Sequence, residues 1–298
     1  MLVLMSLTAF AQSQVTLVEG EPEFQGCISD ENGCYRTFRK FLSNSMVEQA
    51  FTLQQHTGVS AITLPEDGFL IGVQLDTFPL VAPRSNLAGK EENTSFSPVL
   101  PRVVVGLRKS FDDLSVGASV QGLAPIPVAG ASALVLGAEG NLAYQVSDTV
   151  RIGGELDVSY ARARAAIVAT EDQAADNPGN VQPETYEAVC VPKENGCIDT
   201  FTVLGSGLRF AAAVDLPYGF TPWAKVGVGL TQQRLDVDYD ATAWRVRGLQ
   251  PTVGLGSGFA TGKFVSNLGA WAAPRWESIS EENAGALFKL QLSLGVRL

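Results

Sequence analysis

From Gly68 to Leu298 the side chains alternate, one apolar and the next polar or small, through ten successive segments. Leu134, Leu136, Ala138, Leu142, Tyr144 and Val146 form one series, with Gly137, Glu139, Asn141 and Gln145 between them. After Ser147-Asp148-Thr149 the pattern resumes as Val150, Ile152, Leu156, Val158 and Tyr160 against Arg151, Gly153, Glu155, Asp157 and Ser159. Successive side chains of a strand point to opposite faces, so this period specifies β-strands with one oily face each. Further segments begin at Phe69, Val103, Leu114, Leu204, Val226, Trp244, Phe264 and Phe288. The one from Trp244 changes phase near Gly248-Leu249, which predicts a bulge.

The connections alternate in length. Short turns fall at Ser110–Asp112, Ser147–Thr149, Asp215–Gly219 and Ala260–Gly262. Longer stretches fall at Val81–Pro98, Gly122–Gly130, Thr170–Thr200, Asp236–Ala241 and Glu277–Gly285. In an antiparallel array every short turn then lies at one end and every long loop at the other, as in transmembrane barrels. A soluble β fold also alternates, but its solvent face carries many Lys and Glu. Here only 17% of residues are charged, and the non-oily face is mostly Gly, Ala and Ser with scattered charges of both signs. Such a face suits a crowded lumen in which ions pair. The candidate lumen-lining residues are Arg102, Arg108, Glu139, Arg151, Glu155, Asp157, Arg209, Lys225, Gln291 and Arg297. Aromatics at the strand ends, Phe210, Phe220, Phe259 and Phe264 on the short-turn side and Tyr239, Trp244 and Trp276 on the other, suit two membrane interfaces. The expected fold is all-β, a closed antiparallel transmembrane β-barrel of 10–12 strands with a short N-terminal helical segment.

The final segment, Phe288-Lys-Leu-Gln-Leu-Ser-Leu-Gly-Val-Arg-Leu298, resembles the C-terminal strand that bacterial outer-membrane β-barrels present to their assembly machinery, with Leu298 in place of the usual terminal aromatic. The resemblance covers Gly68–Leu298 as a pattern and implies outer-membrane lipid, lipopolysaccharide and that machinery as partners. A looser likeness, to the fatty-acid and hydrocarbon transporter group, rests on an N-terminal segment that precedes the barrel.

Residues 1–11 read as a truncated signal peptide ending in Ala9-Phe10-Ala11. Residues 12–67 form either a periplasmic or plug segment, helical at about 45–56, or an extra strand pair, Gln14–Phe24 with Tyr35–Leu42. The barrel then occupies 68–298. Four cysteines sit in an echoed pattern, Cys27 with Cys34 and Cys190 with Cys197, each carrying an Asn-Gly that favours a positive-φ turn. Two local disulfides are the simplest reading, although four cysteines allow three connectivities. Zinc is disfavoured, since the only histidine is His56.

The net charge of −10 argues against a nucleic-acid partner, and no apolar run is long enough for a membrane helix. A lone His56 suggests no hydrolytic site, and Gly254, Gly256 and Gly258 lack the Lys-Ser/Thr of a phosphate loop. The acidic residues of loop 170–200 read as solvated surface. No enzyme activity, cofactor or metal is expected. The function expected is passive or gated passage of a small or apolar solute of unknown identity across the bacterial outer membrane. The alternatives are a structural or adhesive surface barrel without transport, and a secreted soluble β protein.

Overall fold

The computed structural model describes Ser60 and residues 67–77, 80–81, 95–96, 99–124, 132–165, 183–194, 196–239, 243–274 and 286–298. The signal peptide, the 12–67 segment other than Ser60 and Asp67, the Cys27/Cys34 pair, His56 and Trp276 lie outside the described residues.

Ten strands form the wall: β1 (Gly68–Thr77), β2 (Val99–Phe111), β3 (Leu114–Leu123), β4 (Ser132–Gln145) and β5 (Val150–Ala165). They continue as β6 (Asp199–Val214), β7 (Phe220–Asp236), β8 (Ala243–Thr261), β9 (Phe264–Pro274) and β10 (Ala286–Arg297). Each pairs antiparallel with its chain neighbours, and β1 also pairs with β10, so the sheet closes. Because β1 is bonded along both edges, the wall closes at ten strands among the described residues, and Gln14–Phe24 and Tyr35–Leu42 lie outside those residues. Ten strands about 4.8 Å apart and tilted about 40° close a ring about 20 Å across between backbones.

Polarity is inverted relative to a water-soluble fold. Ile71, Val103, Val120, Leu136, Val158, Leu208, Leu255, Leu268 and Leu294 point outward and are about half exposed. On the alternate positions of the same wall, Gln74, Arg102, Glu155, Arg209, Lys289 and Gln291 point inward and are buried. On β7 the outward apolar run from Phe220 to Leu230 covers about 25 Å along the barrel axis, the height of a membrane barrel's apolar band.

The bulge expected near Gly248 is absent: β8 keeps one register with β7, from Ala243 opposite Asp236 to Phe259 opposite Phe220. The apparent change of phase has another cause. Below Leu249 the outward face of β8 is apolar, and above it that same face carries Arg247 and Arg245, because the strand outruns the apolar belt.

The short turns define one rim and the long loops the other. The turn before β7 needs glycine: Gly219 has φ +76°, and a Cβ there would run into the Ala260 carbonyl oxygen. At the loop rim, Leu80–Val81 pairs with Ser95–Phe96, and a short helix, α1 (Pro183–Val189), precedes the Cys190–Cys197 disulfide. Gly196 in that loop adopts the positive φ that its Asn-Gly predicts.

Candidate functional site: the barrel interior

Inward side chains stack in layers. Nearest the turn rim, Leu70, Val104 and Val265 pack together. Beside them Arg108 donates to Ser115 Oγ at 2.9 Å, and Arg151 pairs with Asp215, which also accepts from Thr221 at 3.1 Å. Asp67, just before β1, accepts from both the hydroxyl and the amide of Ser110. Those bonds, and then the charges of Lys109 and Arg108, hold its carboxyl below the ordinary value despite some desolvation.

The middle layer holds two charge clusters. Asp76 of β1 takes Arg102 of β2 at 3.2 Å and Lys289 of β10 at 3.3 Å, with Gln74 and Gln291 donating to its other oxygen at 3.0 and 3.3 Å. Opposite, Lys225 of β7 reaches Glu155 of β5 at 2.6 Å, and Arg209 of β6 reaches Asp157 of β5 at 2.7 Å. Glu139 of β4 lies beside them and accepts from Asn141 at 3.0 Å. Two tryptophans join the clusters. Trp271 donates to Gln291 at 3.2 Å and lies 5.5 Å from Arg209 and 5.8 Å from Lys225, while Trp223 lies 5.2 Å from Lys225. Those are cation–π distances.

Arg102, Arg209, Lys225 and Lys289 face Asp76, Glu139, Glu155 and Asp157, so the layer is formally neutral. Its packing depends on glycines opposite the large groups. A Cβ at Gly207 would collide with the Asp157 carboxylate, one at Gly254 with Trp271, and one at Gly256 or Gly269 with Trp223. The side chains of Asp76, Arg102, Glu155, Lys225 and Lys289 are 0% exposed.

Above this layer an apolar collar of Val135, Ala161, Phe201, Val203, Leu235 and Val237 faces inward, all buried. At the loop rim the Cys190–Cys197 disulfide packs on Tyr186, Val189 and Tyr239. Asp238 clamps the loop: it pairs with Lys193 at 2.7 Å and accepts the Ile198 amide at 3.2 Å, while its own amide donates to Asp199 at 2.9 Å. The Lys193 hydrogen bond, foremost, holds the Asp238 carboxyl below its ordinary value.

Of the lumen candidates, Arg102, Arg108, Glu139, Arg151, Glu155, Asp157, Arg209, Lys225 and Gln291 are buried on the inward face. The middle layer brings together Arg102, Glu139, Glu155, Asp157, Arg209, Lys225 and Gln291, whereas Arg108 and Arg151 sit at the turn rim. Arg297 is on the inward phase but at that rim, and it donates to the exposed Gly262 carbonyl. Sequence reasoning left out Asp76, Lys289, Trp223 and Trp271. The strand phase marks all four: Asp76 follows Gln74 on the inward phase of β1, and Lys289, Trp223 and Trp271 each fall between apolar residues. Phe210, Phe220, Phe259 and Phe264 are exposed at the turn rim, as expected of a girdle. Tyr239 is not part of one: it packs on the disulfide, because the loop folds back over it.

A closed antiparallel sheet with a dry polar interior and an apolar outer belt defines the class of transmembrane β-barrels. No family model and no curated protein sequence matches the chain. Solved structures with a similar course include the translocator domain of the autotransporter NalP from Neisseria meningitidis (10% identity over 91% of this chain and 98% of that one, TM-score 0.45). The outer-membrane protease OmpT from Escherichia coli is similar at 9% identity over 78% of this chain and 94% of that one, with a TM-score of 0.41. The toluene transporter TodX of Pseudomonas putida is similar at 13% identity over 80% and 70%, with a TM-score of 0.36.

Proposed function

We propose that this chain is a bacterial outer-membrane barrel, closed at rest, that works at its loop rim as a membrane-anchored platform and not as an open pore. The observation that carries this reading is the neutral, fully buried layer of ion pairs and tryptophans across the lumen. A pore of general use needs a wet channel, and ten strands leave little room once side chains fill the ring. The disulfide and the Lys193–Asp238 clamp stiffen the loop rim, which suits a surface for binding or attachment. In this reading the short turns face the periplasm and the loop rim faces outward. Phe288–Leu298 is then the segment read by the assembly machinery.

Gated passage of a small apolar solute is the second reading. The inward collar of Val135, Phe201, Val203 and Leu235 above the seal favours it, because an apolar lining suits an apolar solute better than an ionic one.

Planar-bilayer recording tests the first reading. The purified barrel is expected to insert without conductance steps, and a steady open current would refute the closed lumen. Uptake of a fluorescent apolar probe by proteoliposomes, above that of protein-free liposomes, would replace the first reading with the second.

A further inference from the structure

Among the described residues, the outward face of the barrel changes character at the loop rim along β5, β7 and β8. Above the apolar belt, β5 turns out Arg162 and Arg164, β7 turns out Arg234, and β8 turns out Arg245 and Arg247, all exposed. The register gathers them into one patch: Arg162 stands opposite Thr202, Thr202 opposite Arg234, and Arg234 opposite Arg245. Strands about 4.8 Å apart make that row about 15 Å long. Arg164 lies two residues above the row and Arg247 two below. Because the strands tilt, the patch covers roughly the 10 Å of height just above the belt. Among the described residues, the carboxylate on this patch is Asp236, bound to Arg234 at 2.6 Å, while neighbouring Asp238 is engaged by Lys193. The local excess of positive charge stands out in a chain of net charge −10.

Beneath Arg162 the outer wall has a shallow apolar trough lined by Val103, Val120, Leu136, Val158, Tyr160 and Leu204. Cations at headgroup height over an apolar trough match a lipid with an anionic head and a long acyl chain. Guanidinium groups bind phosphate oxygens two at a time.

We infer that this face holds the phosphorylated headgroup of an outer-leaflet lipid, with an acyl chain in the trough. The inference rests on the outer-membrane reading above. Five guanidiniums spread over about 15 Å suit a head with more than one phosphate.

Native mass spectrometry of the detergent-solubilised barrel tests it, with diphosphorylated lipid A and the same lipid enzymatically stripped of phosphate as probes. The wild type is expected to bind the phosphorylated form at least tenfold more tightly, and the preference is expected to shrink about fivefold for each arginine removed. R162Q/R245Q/R247Q therefore loses it, whereas K109Q, on the opposite rim, keeps it. Added salt weakens the wild-type preference, and a salt-independent preference would overturn the site even if the triple variant folded poorly. Equal binding of both lipids by the wild type, or an undiminished preference in the folded triple variant, would also overturn it. Heat-modifiable gel mobility and insertion into vesicles are measured on the same preparations. Failure of the wild type to insert removes the membrane reading as a whole, whereas an inserted barrel without lipid preference removes this site alone.

Discussion

Replacing Lys225 by Met should be among the most damaging single changes to the barrel. Lys225 Nζ sits 2.6 Å from Glu155 Oε1, both side chains are wholly buried, and the ammonium also faces Trp223 and Trp271. Methionine keeps most of the volume and removes the charge, which strands Glu155 in the same buried layer as Glu139. Removing one partner of a buried pair costs about 3–5 kcal/mol, and the lost cation–π contacts add about 1 kcal/mol. The double variant E155L/K225M removes both charges and should return to within about 1–2 kcal/mol of the wild type, far less than the sum of the two single losses. Denaturant unfolding from lipid vesicles, read by tryptophan emission, measures all four corners of the cycle. A K225M variant within 1 kcal/mol of the wild type, or a double variant whose loss equals the sum of the singles, would refute the reasoning.

Gly207→Ala forces a methyl group into the Asp157 carboxylate and should cost about 1–3 kcal/mol. At Gly140 an added Cβ meets nothing within 4 Å, so Gly140→Ala should leave the same unfolding midpoint unchanged. Reducing Cys190–Cys197 opens a loop of separation 7, worth about 2–3 kcal/mol of local constraint. Proteolysis of 183–198 should then accelerate while the barrel keeps its gel mobility, and loss of the barrel itself would contradict this separation. Asp238 is depressed in the folded state, so its clamp contributes fully above the ordinary carboxylate value of 3.8 and is lost as pH falls through the lower folded value. Proteolysis of the loop by an acid-stable protease should therefore stay slow at pH near 4 and rise only below it, whereas release of the loop between pH 5 and 6 would contradict the clamp.

The wall was legible in the sequence because a period of two is local: Leu142, Val158 and Leu294 declare their face through their immediate neighbours. Closure was expected, but which strands form the seam was not legible, because that depends on hydrogen bonds between β1 and β10, at opposite ends of the barrel sequence, as in Leu70 opposite Arg297. For the same reason the Asp76–Arg102–Lys289 cluster escaped notice: no spacing along the chain announces that three strands meet across the seam. Trp223 and Trp271 lie on the inward phase of their strands, but a period of two assigns a face without saying that two rings from separate strands meet inside the lumen. The bulge near Gly248 was a misreading of a different kind. Once a strand leaves the apolar belt its outward face turns polar, and Arg245 and Arg247 then imitate a change of phase.

Single cysteines at Leu142, Val158 and Leu294, each paired with an inward neighbour at Asn141, Ser159 or Ser293, put the assignment of faces to its most direct test. In proteoliposomes a maleimide confined to the acyl region should modify the first three above the background of the parent protein and leave the second three untouched. Labelling of the inward set, or equal labelling of both, would contradict a barrel whose oily side faces lipid.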